Sequence, residues 1–147
     1  MSDKEAFMRK GVWQAFLEQA RQSSKEIEVL TFRINNGGRD WSESGARAHS
    51  TTITSPTESA AMMELTVVPQ LMERRERHEQ VVGDALAAIQ KVRELLGRAE
   101  ADILEMFYID GFLTWEIAAE LGLTVDGVFY RKRKTIKWMD ENLPLVG

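Results

Sequence analysis

The chain has 147 residues, of which 29% are charged and 44% are hydrophobic, with no cysteine and a formal net charge of −4. This composition excludes an intrinsically disordered chain, a disulfide framework, a thiolate metal site and a cysteine nucleophile. Residues 1–10 lack a secretory pattern, and no apolar run approaches the ~18 residues that a membrane span needs. We therefore expect a cytoplasmic protein with no membrane partner.

The N-terminal segment, residues 1–34, is predicted to form one helix. Asn35, Asn36, Gly37 and Gly38 then follow, which is a composition typical of a helix stop. Ser23 interrupts an otherwise apolar seam. The members of this seam recur at intervals of three and four residues, and they are Trp13, Phe16, Ala20, Ile27, Leu30 and Ile34.

A flexible linker rich in Gly, Ser and Thr is predicted over residues 35–57, followed by a long helix over residues 58–97 that is kinked near Pro69. The two apolar seams favour either a helical hairpin within one chain or a coiled-coil arm between chains, and the pattern excludes neither. The seam of the second helix consists of Leu71, Val82, Ala85, Leu86, Ile89, Val92 and Leu96.

The C-terminal segment, residues 98–147, is predicted to contain three short helices, which makes the fold class all-α. Gly111 suits the first turn and Thr114 suits the cap of the second helix. Gly122 suits the helix stop and Thr124 the cap of the third helix. A helix-turn-helix needs a small residue, an apolar plug in the turn and an apolar anchor in the last helix, for which the sequence offers Ala118, Leu123 and Val128.

Charge is unevenly distributed along this segment. Between Ala99 and Tyr130 there are seven acidic residues and no lysine or arginine. The basic residues then come together, as Arg131, Lys132, Arg133, Lys134 and Lys137. A basic run that follows a helix-turn-helix pattern favours nucleic-acid binding over an ordinary solvated helix face.

The stretch Phe107–Thr124 resembles region four of sigma factors, and it is most similar in style to small phage and prophage late-gene regulators of the RinA and ArpU type. The residues that carry the resemblance are Trp115, Glu116, Ile117, Ala118, Leu121 and Gly122, in the pattern W-E-I-A-x-x-L-G. The strong match covers about 40 residues, by motif alone. It implies that the last helix enters the major groove of double-stranded DNA.

Transferred residue by residue, the resemblance implies a set of groove-facing positions. Arg131 would recognise guanine, Val125 or Tyr130 a thymine methyl group, and the other cations would hold phosphates. Asp126 and Gly127 depart from the pattern, since an acid here repels phosphate unless it accepts from a cytosine amino group. The DNA-binding residues expected are Thr124, Val125, Asp126, Tyr130, Arg131, Lys132, Arg133, Lys134 and Lys137, with Gly127 and Phe129 as neighbours.

The sequence thus predicts a phage or prophage transcription regulator that binds promoter DNA and bacterial RNA polymerase, as a homodimer or higher homo-oligomer. A phage small terminase and a protein-binding adaptor with a degenerate helix-turn-helix are the alternatives. No catalytic constellation, cofactor motif or metal-ligand spacing is found, and His49 and His78 are isolated. Trp115 and Trp138 are expected in the core. Of Phe129 and Tyr130, at least one is expected to pack inside, with Phe129 the less exposed.

Overall fold

The computed structural model describes residues 11–38 and 65–145, and all the regular structure within these ranges is helical. The all-α prediction is therefore confirmed. The linker predicted for residues 35–57 falls outside the described residues from position 39 onward. The elements are α1 (Val12–Asn35), α2 (Val68–Leu95), α3 (Arg98–Leu104), a π-helical turn (Glu105–Ile109), α4 (Thr114–Leu121) and α5 (Val125–Asn142).

Local chemistry sets the end of α1 and the start of α2. Gly37 and Gly38 have φ values of 68° and 92°, and the Gly38 amide donates to the Arg33 carbonyl at 2.6 Å, so the predicted stop is confirmed. Residues 65 and 66 are helical, a turn follows at Val67, and α2 begins at Val68. Pro69 lies in the first turn of α2, where a backbone N–H would have no helical acceptor.

The chain divides into two compact units whose boundaries fall inside α1 and α2. One unit comprises residues 25–80, in which Leu30 and Leu71 are buried. Within it, an Arg75 guanidinium nitrogen donates to the Thr31 hydroxyl at 3.4 Å and another forms an ion pair with Glu79 at 3.3 Å.

The other unit comprises residues 1–24 and 81–147, and its core draws on both ends of the chain. Small residues, including Ala20 and Ala85, allow close approach of the helix backbones in this core. The unit is larger than the segment 98–147 that the sequence set apart, because residues of α1 and α2 cover the inner faces of α3 and α5. The buried members are Trp13, Leu17, Ala20, Ala85, Ala88, Ile89, Val92, Ala101, Leu104, Tyr108, Ile136 and Met139.

Trp13 joins the start of α1 to the end of α5. Its backbone N–H donates to Asp140 Oδ1 at 3.1 Å, and its indole Nε1–H donates to the Leu143 carbonyl at 2.9 Å. The first bond satisfies an amide that has no acceptor within α1. Burial raises the pKa of the Asp140 carboxyl, although the bond from Trp13 acts in the opposite direction. A second link between distant segments runs from the Ser24 hydroxyl to the Ile109 carbonyl, at 2.7 Å.

Candidate nucleic-acid interface

The turn between α4 and α5 matches the chemistry expected from the sequence. Gly122 has a φ of 68°, in the left-handed region that glycine adopts without strain, and the Leu123 amide donates to the Ala118 carbonyl at 2.9 Å. Thr124 caps α5, since its hydroxyl accepts from the Gly127 amide at 3.0 Å. A β-carbon at Gly127 would lie 3.0 Å from that same hydroxyl oxygen, so glycine leaves room for the cap.

A small second core holds α4 against α5. Its fully buried members are Ile103, Ile117, Ala118 and Val128, and Leu123 packs on its edge. The small side chain of Ala118 lets the two helices approach each other. The predicted roles of Ala118, Leu123 and Val128 in packing are confirmed. Met106, Phe107 and Leu121 complete the edge of this core.

The start of α4 differs from the sequence expectation. Leu113, and not Thr114, is the N-cap residue, and its amide donates to the Glu116 carboxylate at 3.0 Å. The prediction of Thr114 as cap is wrong: Thr114 is already the first helical residue, because the bond between the Leu113 amide and Glu116 sets the helix start one residue earlier. The prediction of Trp115 as a core residue is also wrong, since its side chain is 63% exposed. Trp138, by contrast, is half-buried against the main core.

Helix α5 has a buried side and an exposed side. Val128, Thr135, Ile136 and Met139 are buried, and Val128 is the apolar anchor that the sequence predicted for this helix. The Thr135 hydroxyl donates to the Arg131 carbonyl at 2.7 Å, which satisfies this polar group inside the core. The exposed side carries seven of the expected DNA-binding residues, namely Thr124, Val125, Asp126, Tyr130, Arg133, Lys134 and Lys137.

Phe129 and Tyr130 are also on the outside of α5. They are 42% and 58% exposed, so Phe129 is the less exposed of the two, as expected, but neither packs inside. The Lys134 ammonium lies 5.7 Å from the centroid of the Tyr130 ring, at the outer edge of cation–π distance. Aromatic and basic side chains are therefore adjacent on this side of the helix.

Three cations of α5 have no carboxylate within ion-pair distance in the part of the chain that the structure describes. These are Arg133, Lys134 and Lys137, and all three are exposed. Lys137 lies three residues after Lys134 and four after Arg133, so its side chain neighbours both of the others and the three share one side of the helix. This side is therefore positively charged, although the chain as a whole carries a net charge of −4.

Arg131 is in a different situation from these three cations. Its guanidinium forms an ion pair with Glu100 of α3 at 3.5 Å, and it is half-buried. A guanine contact by Arg131 would have to compete with this carboxylate. The sequence did not indicate the pair, because Glu100 and Arg131 are brought together only by the packing of α3 against α5.

Lys132 does not extend into solvent as the sequence led us to expect. Its ammonium lies 3.9 Å from the centroid of the Phe107 ring, 5.2 Å from that of Phe129 and 5.8 Å from that of Tyr108. Burial lowers the pKa of this ammonium, and the positive charge of Arg21 lowers it further. Lys132 is thus directed at an aromatic cluster, which differs from the predicted role of holding a phosphate.

Arg21 of α1 is a site residue that the sequence reasoning missed. Its guanidinium carbon lies 4.1 Å from the centroid of the Phe107 ring, and its Nε is buried without a hydrogen-bond partner in the described part of the chain. Tyr108 lies next to this cluster, and burial, reinforced by the charge of Glu18, raises its pKa to about 12. No signal in the sequence connects Arg21 to residues more than eighty positions away.

Within residues 11–38 and 65–145, no helix is long and apolar enough to cross a membrane. No group of three or more histidine, aspartate or glutamate side chains there is arranged to hold a metal ion.

Comparison of the chain with protein-family models, with curated proteins and with solved structures finds no match. The features that bear on function are therefore the geometry of this surface and the resemblance carried by the residues of α4.

Proposed function

We propose that the chain is a sequence-specific DNA-binding transcription regulator of phage or prophage origin. In this proposal α4, the Gly122 turn and α5 form the helix-turn-helix, and the exposed side of α5 enters the major groove. The proposal includes a homodimer or higher homo-oligomer and contact with bacterial RNA polymerase, as the resemblance to late-gene regulators implies.

The observation that carries the proposal is the set of three exposed cations, Arg133, Lys134 and Lys137, without carboxylate partners among the described residues. Unpaired cations that line one helix face are suited to phosphate oxygens, and phosphate contacts supply most of the affinity of such proteins. If each cation neutralises one phosphate, the logarithm of the binding constant falls with that of salt concentration with a slope of about −3 per chain.

Base contacts would come from the first turns of α5, ahead of the cations. Val125 and Tyr130 are exposed there and offer apolar contact to a thymine methyl group, while Asp126 can accept from a cytosine amino group. Arg131 can donate to guanine only when it leaves Glu100. Asp126 and Arg131 would then favour cytosine and guanine over other bases.

The protein-binding adaptor is the second candidate, and a specific observation favours it. Two of the five expected cations are engaged within the unit, Arg131 with Glu100 and Lys132 with Phe107. Fewer free cations mean weaker attraction to DNA. If the chain is an adaptor, we expect that it does not bind DNA, or that substitution of Lys134 and Lys137 leaves its DNA binding unchanged.

Light scattering of the purified chain, alone and with a library of its genomic upstream DNA at low salt, tests these candidates. The proposal expects a dimer or small oligomer that selects specific fragments, with binding lost in a Lys134→Ala, Lys137→Ala double variant. Lys91→Ala is the matched control, because Lys91 is an exposed lysine of α2 and not part of the proposed helix-turn-helix. A large ring would support a small terminase, and a particle that ignores DNA would support the adaptor.

A further inference from the structure

Three large apolar side chains are exposed at the start of α4. Phe112 is 37% exposed, Leu113 50% and Trp115 63%. None of them belongs to either core cluster of the described residues, although Ile117 and Ala118 of the same helix do. Single exposed apolar residues are common, but three within four consecutive positions are a grouping that is typical of interaction sites. We call these three residues the Trp115 surface.

The backbone holds this surface in a defined conformation. Gly111 has a φ of 78°, and the Phe112 amide donates to the Met106 carbonyl at 2.9 Å. The Leu113 amide donates to the Glu116 carboxylate at 3.0 Å. Because these bonds fix the entry into α4, the apolar side chains are presented from an ordered turn, and a partner would not need to order the segment on binding.

The stretch of chain that carries the Trp115 surface is acidic. Asp110, Glu116 and Glu120 lie along the same segment, and no lysine or arginine occurs between Ala99 and Tyr130. In the described part of the chain, none of these three carboxylates forms an ion pair with a basic side chain. The acids of α3 differ in this respect, since Asp102 pairs with Arg93 and Glu100 with Arg131. The carboxylates beside the Trp115 surface are therefore available to an external cation.

We propose that the Trp115 surface docks a cationic amphipathic segment of another protein. An apolar side chain of that partner would cover Leu113 and Trp115, and its lysine or arginine side chains would pair with Glu116, Glu120 and Asp110. Charge complementarity supports this occupant, because an acidic patch repels nucleic acid phosphates and anionic lipid. The inference is independent of the proposed DNA binding, which uses α5.

A second copy of the chain is a less suitable occupant. The three unpaired cations described above lie on α5, and a contact between α5 of one copy and α4 of the next is heterologous. Such a contact adds copies without closing unless the rotation closes a ring, and it would cover the side of α5 that carries Lys134 and Lys137. A separate partner leaves that side free.

The test uses the full chain and a synthetic helical peptide of leucine and lysine that has one apolar face. Binding is followed by NMR through the indole N–H resonance of Trp115, assigned from its loss in Trp115→Ala. We expect this resonance to shift in the parent chain. The affinity of each variant is measured separately, by fluorescence anisotropy of the labelled peptide, and is expected to fall roughly tenfold in Trp115→Ala and also in Glu120→Lys. Tyr130→Ala is the matched control, because it removes an exposed aromatic ring from α5, and it is expected to bind the peptide normally.

Four results with the peptides would overturn the inference. They are no shift at all, equal affinity for a peptide with glutamate in place of lysine, equal affinity for a scrambled peptide without an apolar face, and loss of peptide binding in Tyr130→Ala. Self-association that Trp115→Ala abolishes would also overturn it, in favour of a second copy as the occupant. The same variants are tested for DNA binding, so that failure of the DNA proposal is seen separately: Trp115→Ala is expected to keep DNA binding and lose only the peptide.

Discussion

The ammonium of Lys132 and the guanidinium of Arg21 lie over the same aromatic ring, that of Phe107, at 3.9 Å and 4.1 Å from its centroid. The face of a phenyl ring carries partial negative charge, so one ring attracts both cations although they repel each other. This arrangement connects α1 to α5 through the π-helical turn, and it explains why a lysine in the middle of a basic run is directed inward.

The inward direction of Lys132 predicts that the cations of α5 contribute unequally to DNA binding. Lys134→Ala is expected to reduce the magnitude of the salt slope by about one, because one phosphate contact is lost. Lys132→Met, which keeps the apolar stem, is expected to leave the slope unchanged. Fluorescence anisotropy with labelled DNA over a series of salt concentrations measures both slopes. A larger reduction of the salt slope in Lys132→Met than in Lys134→Ala would contradict the inward orientation of Lys132.

The raised pKa of Tyr108 predicts a loss of stability in alkali. The phenol keeps its proton in the folded state up to about pH 12 but loses it near 10.0 when unfolded, so the folded state binds more protons in this window. The free energy of unfolding therefore falls as pH rises through it, by about 2 to 3 kcal/mol at most. Urea unfolding followed by circular dichroism at about pH 8 and about pH 11 measures the fall.

Tyr108→Phe is the variant that isolates this effect. It retains the buried ring and removes the ionisable hydroxyl, so its stability is expected to fall less between the two pH values. The lowered pKa of Lys132 acts in the opposite direction, because there the unfolded state binds more protons. An identical alkaline loss in Tyr108→Phe and in the parent chain would show that Tyr108 is not the responsible group.

The bond from the Trp13 amide to Asp140 predicts that the acceptor oxygen of Asp140 contributes more to stability than the negative charge of its carboxylate. Asp140→Asn keeps an acceptor oxygen for the amide and removes a carboxylate whose pKa is raised by burial, so it is expected to be neutral for stability. Asp140→Ala is expected to cost about 1 kcal/mol, because the amide at the start of α1 loses its partner. Thermal unfolding measures the stability of both variants. Equal losses of stability in Asp140→Asn and Asp140→Ala would mean that the negative charge of Asp140 is the stabilising feature.

The left-handed backbone at Gly122 predicts opposite effects for two substitutions by alanine. Gly122→Ala is expected to destabilise by about 1 kcal/mol, since a β-carbon meets no neighbour there but the φ of 68° is strained. Gly83→Ala is the matched control, because Gly83 is exposed inside α2 and open to a β-carbon, so alanine is expected to stabilise by up to about 1 kcal/mol. If chemical denaturation shows that both substitutions change the free energy of unfolding in the same direction, backbone strain at Gly122 is not the cause.

The features of the site that could be predicted from sequence are those set by neighbouring residues. Gly122 and Thr124 form the turn and the cap that their local chemistry predicts, and Ala118 and Val128 occupy the small core. Each of these roles depends on residues a few positions away in the chain, so a short motif contains all of them. The helices α1 and α2 are predicted for the same reason, because helical periodicity is also a relation between neighbouring residues.

The environments of Lys132, Arg131 and Trp115 depend on packing between distant segments, which a single sequence does not record. Lys132 turns inward because Arg21 and Phe107 come together only after α1 packs on the C-terminal helices. Trp115 is apolar at a helical position, and apolar character alone does not distinguish a core residue from one at an interaction surface. Trp115 is exposed because Ile117 and Ala118 lie on the side of α4 that faces the core, and Trp115 does not lie on that side.

The two hydrogen bonds of Trp13 bear on how this protein can be engineered. The last helix is anchored at its far end by a tryptophan near the beginning of the chain, through Asp140 and Leu143. A C-terminal fragment that begins at residue 98 would lack Trp13, so Asp140, Leu143 and the adjoining core surface would lose their contacts with α1. The C-terminal helices are therefore not a detachable module: moving the proposed DNA-binding surface to another protein requires residues from both ends of the chain.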